Sequence, residues 1–159
     1  MAIEIERKFL VSGDGWRCTE PVYYCQGYLS HDQQRTVRIR IADDKAFLTI
    51  KGVTTGASRA EFEYEIPLDD ARQLIELCDK PLIEKYRHVV PVDQLTWEVD
   101  EFLGENRGLV VAEVELASED QAITLPPWAA QEVTDDARYY NARLSQHPYS
   151  RWSEDQSNG

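Results

Sequence analysis

The chain has too few basic residues for a surface that binds nucleic acid or an anionic membrane. Its 159 residues include 17 Lys and Arg against 29 Asp and Glu, which gives a formal net charge of −12 at pH 7. Surfaces that bind DNA, RNA or anionic lipid need an excess of positive charge. We therefore expect neither partner, and we expect any bound anion to be small and enclosed.

Cysteine, histidine and long apolar runs are also scarce. The three cysteines and three histidines lack the spacing of a metal site, and an odd number of scattered cysteines is typical of a reducing compartment. No apolar run approaches the length of a transmembrane helix, and the N-terminus lacks the pattern of a signal peptide. These absences predict a cytoplasmic protein.

The glycine-rich motifs that bind phosphate through the backbone are missing. The sequence contains neither G-x-x-x-x-G-K-[ST] nor G-x-G-x-x-G, and it lacks the G-x-S-x-G motif of serine hydrolases. If this protein binds phosphate, side chains must hold it.

Most of the chain instead shows the period-two alternation of β-strands, and its length suits one domain with its own core. The pattern predicts an α+β fold that is mainly β, with a domain over residues 1–148 and a disordered tail over residues 149–159. The predicted strands are 2–11, 22–29, 35–42, 45–51, 60–67, 84–91, 95–102 and 109–116.

Helices and turns account for the rest of the prediction. Apolar residues at helical spacing predict helices at about 69–78 and 134–145, and a shorter helix is plausible at 128–131. Asp43-Asp44 is expected to form a tight hairpin, and the segment 52–58, with two glycines and two threonines, is expected to be a mobile loop.

The strands alternate apolar residues with charged residues of both signs. In the first strand Glu4 and Glu6 alternate with Ile3 and Ile5. Successive side chains of a strand point to opposite faces, so each strand collects its ionisable groups on one face. A sheet that is apolar outside and charged inside is a barrel with a hydrated, charged interior. The residues in this pattern are Glu4, Glu6, Lys8, Arg38, Arg40, Lys51, Glu61, Glu63, Lys85, Arg87, Glu98, Asp100, Glu113 and Glu115.

A solvated sheet face would explain any one of these strands, but it explains the whole set poorly. Ordinary polar faces are rich in Thr, Ser, Gln and Lys rather than almost exclusively ionisable. Acidic pairs and basic pairs also lie on different strands, which is a poor arrangement for simple cross-strand ion pairing. The set contains six bases and eight acids. Because unpaired buried charges are costly, such an interior needs compensating ions or water.

The residue types in this interior point to a polyanion and a divalent cation. Carboxylates two positions apart on a strand share a face and can converge on a hard cation such as Mg²⁺ or Mn²⁺. Arginine forks such as Arg38 and Arg40 suit phosphate oxygens, while the lysines act as point charges.

The ordered motifs resemble those of CYTH domains, the triphosphate tunnel metalloenzymes, over residues 2–145. Residues 4–8 match the E-x-E-x-K signature of that family. The similarity continues through Gln26-Gly27-Tyr28-Leu29, Arg38-Ile39-Arg40, Thr49-Ile50-Lys51-Gly52, Glu61-Phe62-Glu63, Lys85-Tyr86-Arg87, Trp97-Glu98-Val99-Asp100 and Ala112-Glu113-Val114-Glu115. The resemblance implies a closed eight-stranded antiparallel β-barrel with flanking helices, which binds a triphosphate together with one or two Mg²⁺ or Mn²⁺ ions.

The resemblance also implies a role for each matching residue. The triphosphate would be bound by Lys8, Arg38, Arg40, Lys51, Lys85 and Arg87. The metal carboxylates would come from Glu4, Glu6, Glu61, Glu63, Asp100, Glu113 and Glu115. The identity of the group that accepts the proton of the attacking water is left open. The candidates are Glu4 or Glu6 acting through a metal-bound water, Lys8 with a lowered pKa, and partly ionised Tyr28.

The first functional hypothesis is a metal-dependent hydrolase that converts inorganic tripolyphosphate to pyrophosphate and phosphate. A minimal chain without an obvious base-stacking constellation favours it over a class IV adenylate cyclase or a thiamine or nucleoside triphosphatase. The alternative from another class is a non-catalytic polyphosphate or nucleotide sensor. A monomer or a homodimer is expected, and because a closed barrel has no free edge, a dimer would form through helices or outer faces.

Overall fold

The computed structural model describes residues 3–152, which form nine β-strands and two α-helices. The strands are β1 Ile3–Val11, β2 Val22–Ser30, β3 Thr36–Ala42, β4 Lys45–Thr55, β5 Ser58–Ile66, β6 Ile83–Val92, β7 Leu95–Phe102, β8 Val110–Glu115 and β9 Ala129–Glu132. The helices are α1 Leu68–Leu77 and α2 Asn141–Gln146. Neither helix in this range has the length and hydropathy of a membrane span.

Eight strands close into an antiparallel barrel, which confirms the predicted fold. Their order is β5-β4-β3-β2-β6-β7-β8-β1, and β5 pairs back with β1 to complete the ring. The closing seam is short, because β5 pairs with β1 over Ile3–Ile5, and β9 occupies the same edge from Phe9 to Val11. One edge of β1 is therefore shared between the barrel and the ninth strand.

Apolar side chains cover the outside of the barrel, as the alternation predicts. Helix α1 packs on β2, β3 and β4 through Ala71 and Ile75, which contact Ile39 and Ala46. A second outer cluster forms over β1, β6, β7 and β8, and Trp16 and the 117–129 segment contribute to it. Its buried members are Phe9, Trp16, Val90, Trp97, Val99, Ala112, Val114, Leu116 and Trp128.

A third apolar cluster involves the residues that follow β9. Ile83, Phe102 and Val111 lie on the same faces of their strands as the charged residues, and they pack with Leu144 and Tyr139. One end of the barrel interior is thus closed by apolar packing against the C-terminal segment.

Gly27 allows the segment that follows α1 to approach the barrel closely, and we expect Gly27→Ala to destabilise the fold. A Cβ at this position would lie 2.7 Å from Cys78 Cβ and 2.8 Å from Leu82 Cδ2. Overpacking of this kind typically costs about 1–3 kcal/mol of unfolding free energy. Chemical denaturation of both variants measures the cost. Gly52→Ala, whose Cβ would meet Ala60 Cβ at 3.4 Å, is the matched control and should be close to neutral. Equal stabilities of the two variants would contradict this account of the packing.

Three predicted local structures are wrong. Residues 128–131, predicted as a short helix, include most of β9, since the open edge of β1 offers backbone partners there. The helix predicted at 134–145 is divided into a 3₁₀ turn at Ala137–Tyr139 and the short helix α2. The segment 52–58 is no free loop, because β4 and β5 continue to Thr55 and from Ser58, with Gly56 at a φ of 62° in the turn.

The tight hairpin between β3 and β4 forms where the sequence predicts it, with Asp43 at a φ of 54°. The start of the segment predicted as a disordered tail is instead ordered: residues 149–151 form a 3₁₀ turn, and the Trp152 ring packs on Tyr139 with ring centroids 5.1 Å apart. The rest of the predicted disordered tail, 153–159, lies outside the described residues.

Candidate active site

The interior of the barrel holds a cavity of about 320 Å³ that receives side chains from all eight barrel strands. Every sequence-predicted site residue except Lys85 and Asp100 lines it. The alternation of the strands explains this convergence, because inward positions recur at every second residue around a closed ring. The predicted residues on its wall are Glu4, Glu6, Lys8, Tyr28, Arg38, Arg40, Lys51, Glu61, Glu63, Arg87, Glu113 and Glu115.

One side of the cavity is basic and incompletely neutralised. Arg40 has no carboxylate within salt-bridge distance among residues 3–152; its Nε donates to Gln26 Oε1 at 2.9 Å. Burial, together with the nearby charges of Arg38 and Arg87, lowers the pKa of Arg40 to about 9. Arg38 Nε is buried without a hydrogen-bond partner in the described part of the chain. Buried donors of this kind are costly unless an anion pairs with them.

The opposite side is acidic, and two lysines form ion pairs with its carboxylates. Lys8 Nζ lies 2.5 Å from Glu113 Oε1 and 3.1 Å from Glu6 Oε1. Lys51 Nζ lies 3.1 Å from Glu4 Oε1 and 3.4 Å from Glu61 Oε2.

More carboxylates meet here than the lysines can neutralise. Burial, reinforced by the charge of Glu113, raises the pKa of Glu6 to about 7. Burial and the hydrogen bond with Glu61 raise the pKa of Glu4, and burial with the charges of Glu4 and Glu6 raises that of Glu115. A cation placed among these oxygens would reverse all three shifts.

The donor set fits a hard divalent cation, although its members are not yet gathered around one point. Within residues 3–152, no three Asp, Glu, His or Cys side chains are close enough together to hold a metal as they stand. The reason lies in the ion pairs, since Lys8 and Lys51 each draw two glutamates toward an ammonium. An anion that attracted the lysines would release these carboxylates.

Lys85 and Asp100 form a buried group that is not part of the cavity wall. Lys85 is fully buried and donates to Asp100 Oδ2 at 2.8 Å, while Arg87 binds both oxygens of Asp100 at 2.8 and 2.9 Å. Although burial opposes it, these cations hold the pKa of Asp100 well below its usual range. Burial, aided by the charges of Arg87 and Arg40, lowers the pKa of Lys85 to about 7. The group braces Arg87, whose side chain does line the cavity.

Lys8 and Tyr28, the two other predicted catalytic residues, lie in different surroundings. Burial opposes protonation of Lys8, but Glu113 and Glu6 outweigh it and raise its pKa above the usual value, so Lys8 stays an ammonium. Tyr28 is buried on the cavity wall, opposite Arg38 in the β2–β3 register, with its ring 5.3 Å from that of His31.

The sequence interpretation missed several residues of the cavity wall. Arg59 continues the inward alternation of Glu61 and Glu63, and it donates to Gly52 O at 3.0 Å and Thr36 Oγ1 at 3.3 Å. It was missed because the strand was predicted to start one residue later. The remaining additions are Tyr24, Thr36, Phe47, Thr54, Gly56, Ala57, Thr134, Tyr140, Asn141 and Ala142. Glu98, which the alternation predicts to face inward but to which no role was assigned, lines the cavity as well.

Tyr140 lies outside the alternating strands, yet its ring borders the cavity, with its centroid 5.9 Å from Lys8 Nζ. No periodic signal could have revealed the wall residues between 134 and 142, because they lie in irregular segments and one short helix.

Comparison with known proteins agrees with this architecture. The model of the CYTH domain matches residues 2–145. The chain belongs to the CYTH domain family. An inorganic triphosphatase of Acetivibrio thermocellus is 49% identical to this CYTH protein over 156 residues, which are 97% of this chain and 100% of the relative. An inorganic triphosphatase of Nitrosomonas europaea is 38% identical over 149 residues, 89% of this chain and 96% of the relative.

A solved structure extends the comparison to three dimensions. The crystal structure of an inorganic triphosphatase superimposes on this CYTH domain with a TM-score of 0.64 and 34% identity. The match covers 89% of this chain and 96% of that one.

Proposed function

We propose that this CYTH protein hydrolyses inorganic tripolyphosphate to pyrophosphate and phosphate with the help of Mg²⁺ or Mn²⁺. The observation that carries the proposal is the enclosed cavity in which Arg38, Arg40 and Arg87 face a wall of glutamates. A polyphosphate would satisfy the open donors of Arg38 and Arg40. The two similar proteins described above, both inorganic triphosphatases, support the same reaction.

Tyr24, one of the aromatic side chains on the cavity wall, is already engaged by cations. The guanidinium carbons of Arg40 and Arg87 lie 4.9 and 4.8 Å from its ring centroid. These cations compete with a nucleobase for the π-face of Tyr24. At Tyr24 this arrangement favours an inorganic chain over a nucleotide; the other aromatic side chains of the wall are Tyr28, Phe47 and Tyr140.

In the proposed reaction a water oxygen attacks the terminal phosphorus, the P–O–P bond to the next phosphate breaks, and pyrophosphate departs. The arginines hold the phosphates in line and neutralise their charge. The glutamates, led by Glu4 and Glu6, would hold the divalent cation, which supplies charge neutralisation and a more acidic water. Because Lys8 stays protonated, the proton acceptor is to be sought among Glu4, Glu6 and Tyr28.

A substrate panel tests the proposal. Purified protein is assayed with tripolyphosphate, ATP and thiamine triphosphate over a titration of Mg²⁺ and of Mn²⁺, with phosphate and cyclic AMP both quantified. We expect tripolyphosphate to have the highest kcat/KM, with pyrophosphate and phosphate in equal amounts. Cyclic AMP as the main product from ATP would favour the adenylate cyclase. A higher kcat/KM for ATP or thiamine triphosphate would show that tripolyphosphate is not the preferred substrate. Binding of tripolyphosphate without turnover would favour the non-catalytic sensor.

Metal binding should release protons near neutral pH. A cation ligand must be ionised, whereas the pKa of about 7 leaves Glu6 partly protonated in the free site. Calorimetric titration with Mn²⁺ in buffers of different ionisation enthalpy counts these protons. We expect the number to be largest below pH 7 and to fall toward zero as the pH rises well above it, and we expect Glu6→Gln to lose most of the effect. A number that does not change with pH would contradict the assignment of Glu6 as a metal ligand.

A further inference from the structure

Asn141, the first residue of α2, connects the C-terminal segment with the basic side of the cavity. Its Oδ1 accepts hydrogen bonds from Lys85 Nζ at 3.0 Å and from Gln26 Nε2 at 3.3 Å. The same side chain borders the cavity, whereas Lys85 and Gln26 lie fully buried behind the wall.

The orientation of both amides follows from their neighbours. Gln26 Oε1 accepts from Arg40 Nε at 2.9 Å, and a guanidinium can only donate, so the Gln26 amino group must point toward Asn141. That amino group requires the Asn141 oxygen on its side, and Lys85 Nζ donates to the same oxygen. Reversing either amide would place donor against donor in a buried site, so the chain of hydrogen bonds has one polarity.

With this polarity, the amino group of the Asn141 side chain faces the cavity. No described residue accepts a hydrogen bond from Asn141 Nδ2. The two hydrogen bonds that Asn141 Oδ1 accepts, from Lys85 and Gln26, polarise the amide and make its N–H groups better donors. A fully buried lysine thereby acts on the cavity through a neutral side chain that reaches it.

We propose that Asn141 is a substrate-binding residue whose Nδ2 donates a hydrogen bond to a phosphate oxygen, and that Gln26 is the positioning residue that keeps the amide turned toward the substrate. The inference rests on the proposed function, since it needs a phosphate chain in the cavity. It also gives α2 a direct contact with the substrate.

The competing explanation is that Asn141 merely attaches α2 to the barrel. Two variants separate the explanations. Asn141→Asp keeps an oxygen for Lys85 and Gln26 but replaces the donor with a carboxylate that faces the phosphate. Asn141→Leu has a similar volume and removes donor and acceptor together. A purely structural role predicts that Asn141→Leu is the more damaging change.

Substrate binding predicts the opposite order. In calorimetric titrations with tripolyphosphate and EDTA, we expect Asn141→Asp to raise the Kd about 10- to 100-fold, because it loses a hydrogen bond and gains like-charge repulsion. We expect Asn141→Leu to raise it about tenfold or less. Gln26→Glu removes the donor that orients Asn141 and should weaken binding in the same direction as Asn141→Asp.

The side-chain amide resonances of the unaltered protein give a second readout that does not depend on the affinities of the variants. The Asn141 Nδ2 signals, assigned by their disappearance in Asn141→Asp, should shift when tripolyphosphate is added. Asn106 is the internal control, since it is buried away from the cavity and its Oδ1 accepts from the Tyr149 amide at 2.9 Å.

The outcomes distinguish this inference from the proposed function. Asn141→Asp binding as tightly as the unaltered protein, or Asn141 signals that stay in place while tripolyphosphate binds, would overturn the role of Asn141 and leave the hydrolase intact. An unaltered protein that neither binds nor hydrolyses tripolyphosphate would overturn both.

Discussion

Replacement of Glu4 by alanine is expected to abolish turnover while tripolyphosphate still binds. Glu4 belongs to the acidic wall, where it pairs with Lys51 at 3.1 Å, and the arginines that would hold the phosphates lie on the other side. Loss of a ligand carboxylate near the attacking water should lower kcat by roughly 10²–10⁴-fold. Phosphate release at saturating Mn²⁺ measures kcat, and calorimetry measures the Kd.

Two further substitutions show whether the charge of Glu4 is what matters. Glu4→Gln keeps the size of the side chain and should lose nearly as much activity as Glu4→Ala. Glu76→Ala removes an exposed glutamate of α1, outside the cavity, and should leave kcat unchanged. Unchanged hydrolysis in Glu4→Ala would remove the E-x-E pair from the mechanism.

Arg40→Ala should weaken substrate binding itself. Arg40 lines the cavity with no carboxylate in salt-bridge distance among the described residues, and Gln26 holds its Nε so that the two terminal nitrogens stay available. A charge-assisted hydrogen bond contributes about 1.5–3 kcal/mol, so loss of a two-pronged contact should raise the Kd about 100-fold or more. Titration with tripolyphosphate checks this directly.

The controls for Arg40 concern geometry and total charge. Arg40→Lys keeps a cation but cannot serve Gln26 and a phosphate in the same planar geometry, so its Kd should lie between those of the unaltered protein and Arg40→Ala. Arg35→Ala removes a cation whose side chain is 73% exposed, and its Kd should stay the same. Equal effects of Arg40→Ala and Arg35→Ala would mean that net charge, rather than a built site, governs binding.

Seven of the eight barrel strands could be predicted to within two residues at each end, because each carries its own alternation. The exception is β4, which continues to Thr55 beyond its predicted end at residue 51. The run from Glu4 to Lys8 shows which side chains share a face whatever the partner strands are, and the structure places that face inside the barrel. The same local rule explains the omission of Arg59, which belongs to its strand but preceded its predicted start.

Elements that depend on distant partners could not be predicted in the same way. β9 has four residues and no alternation, and it is a strand because β1 has an unpaired edge beyond its contact with β5. Asn141 reaches the cavity because the chain after β9 folds back over one end of the barrel, where Leu144 packs with Ile83.

Lys85 and Asp100 show a further limit of the alternation. They obey the same pattern as Arg87 and Glu98, yet they lie behind the wall, paired with each other at 2.8 Å. Period two decides the face of a side chain, but its depth along the barrel depends on strand stagger and on what fills that end.

The sequence alone was thus enough to predict which side chains point into the barrel, because strand geometry is local. It also showed that the charges of these side chains suit a polyphosphate together with a hard cation. The folded molecule alone decided which of those charges meet, since ion pairing and burial depend on strands far apart in the chain. It placed Lys8 and Lys51 between glutamates, left Arg40 without a carboxylate at salt-bridge distance among the described residues, and brought Asn141 to the cavity.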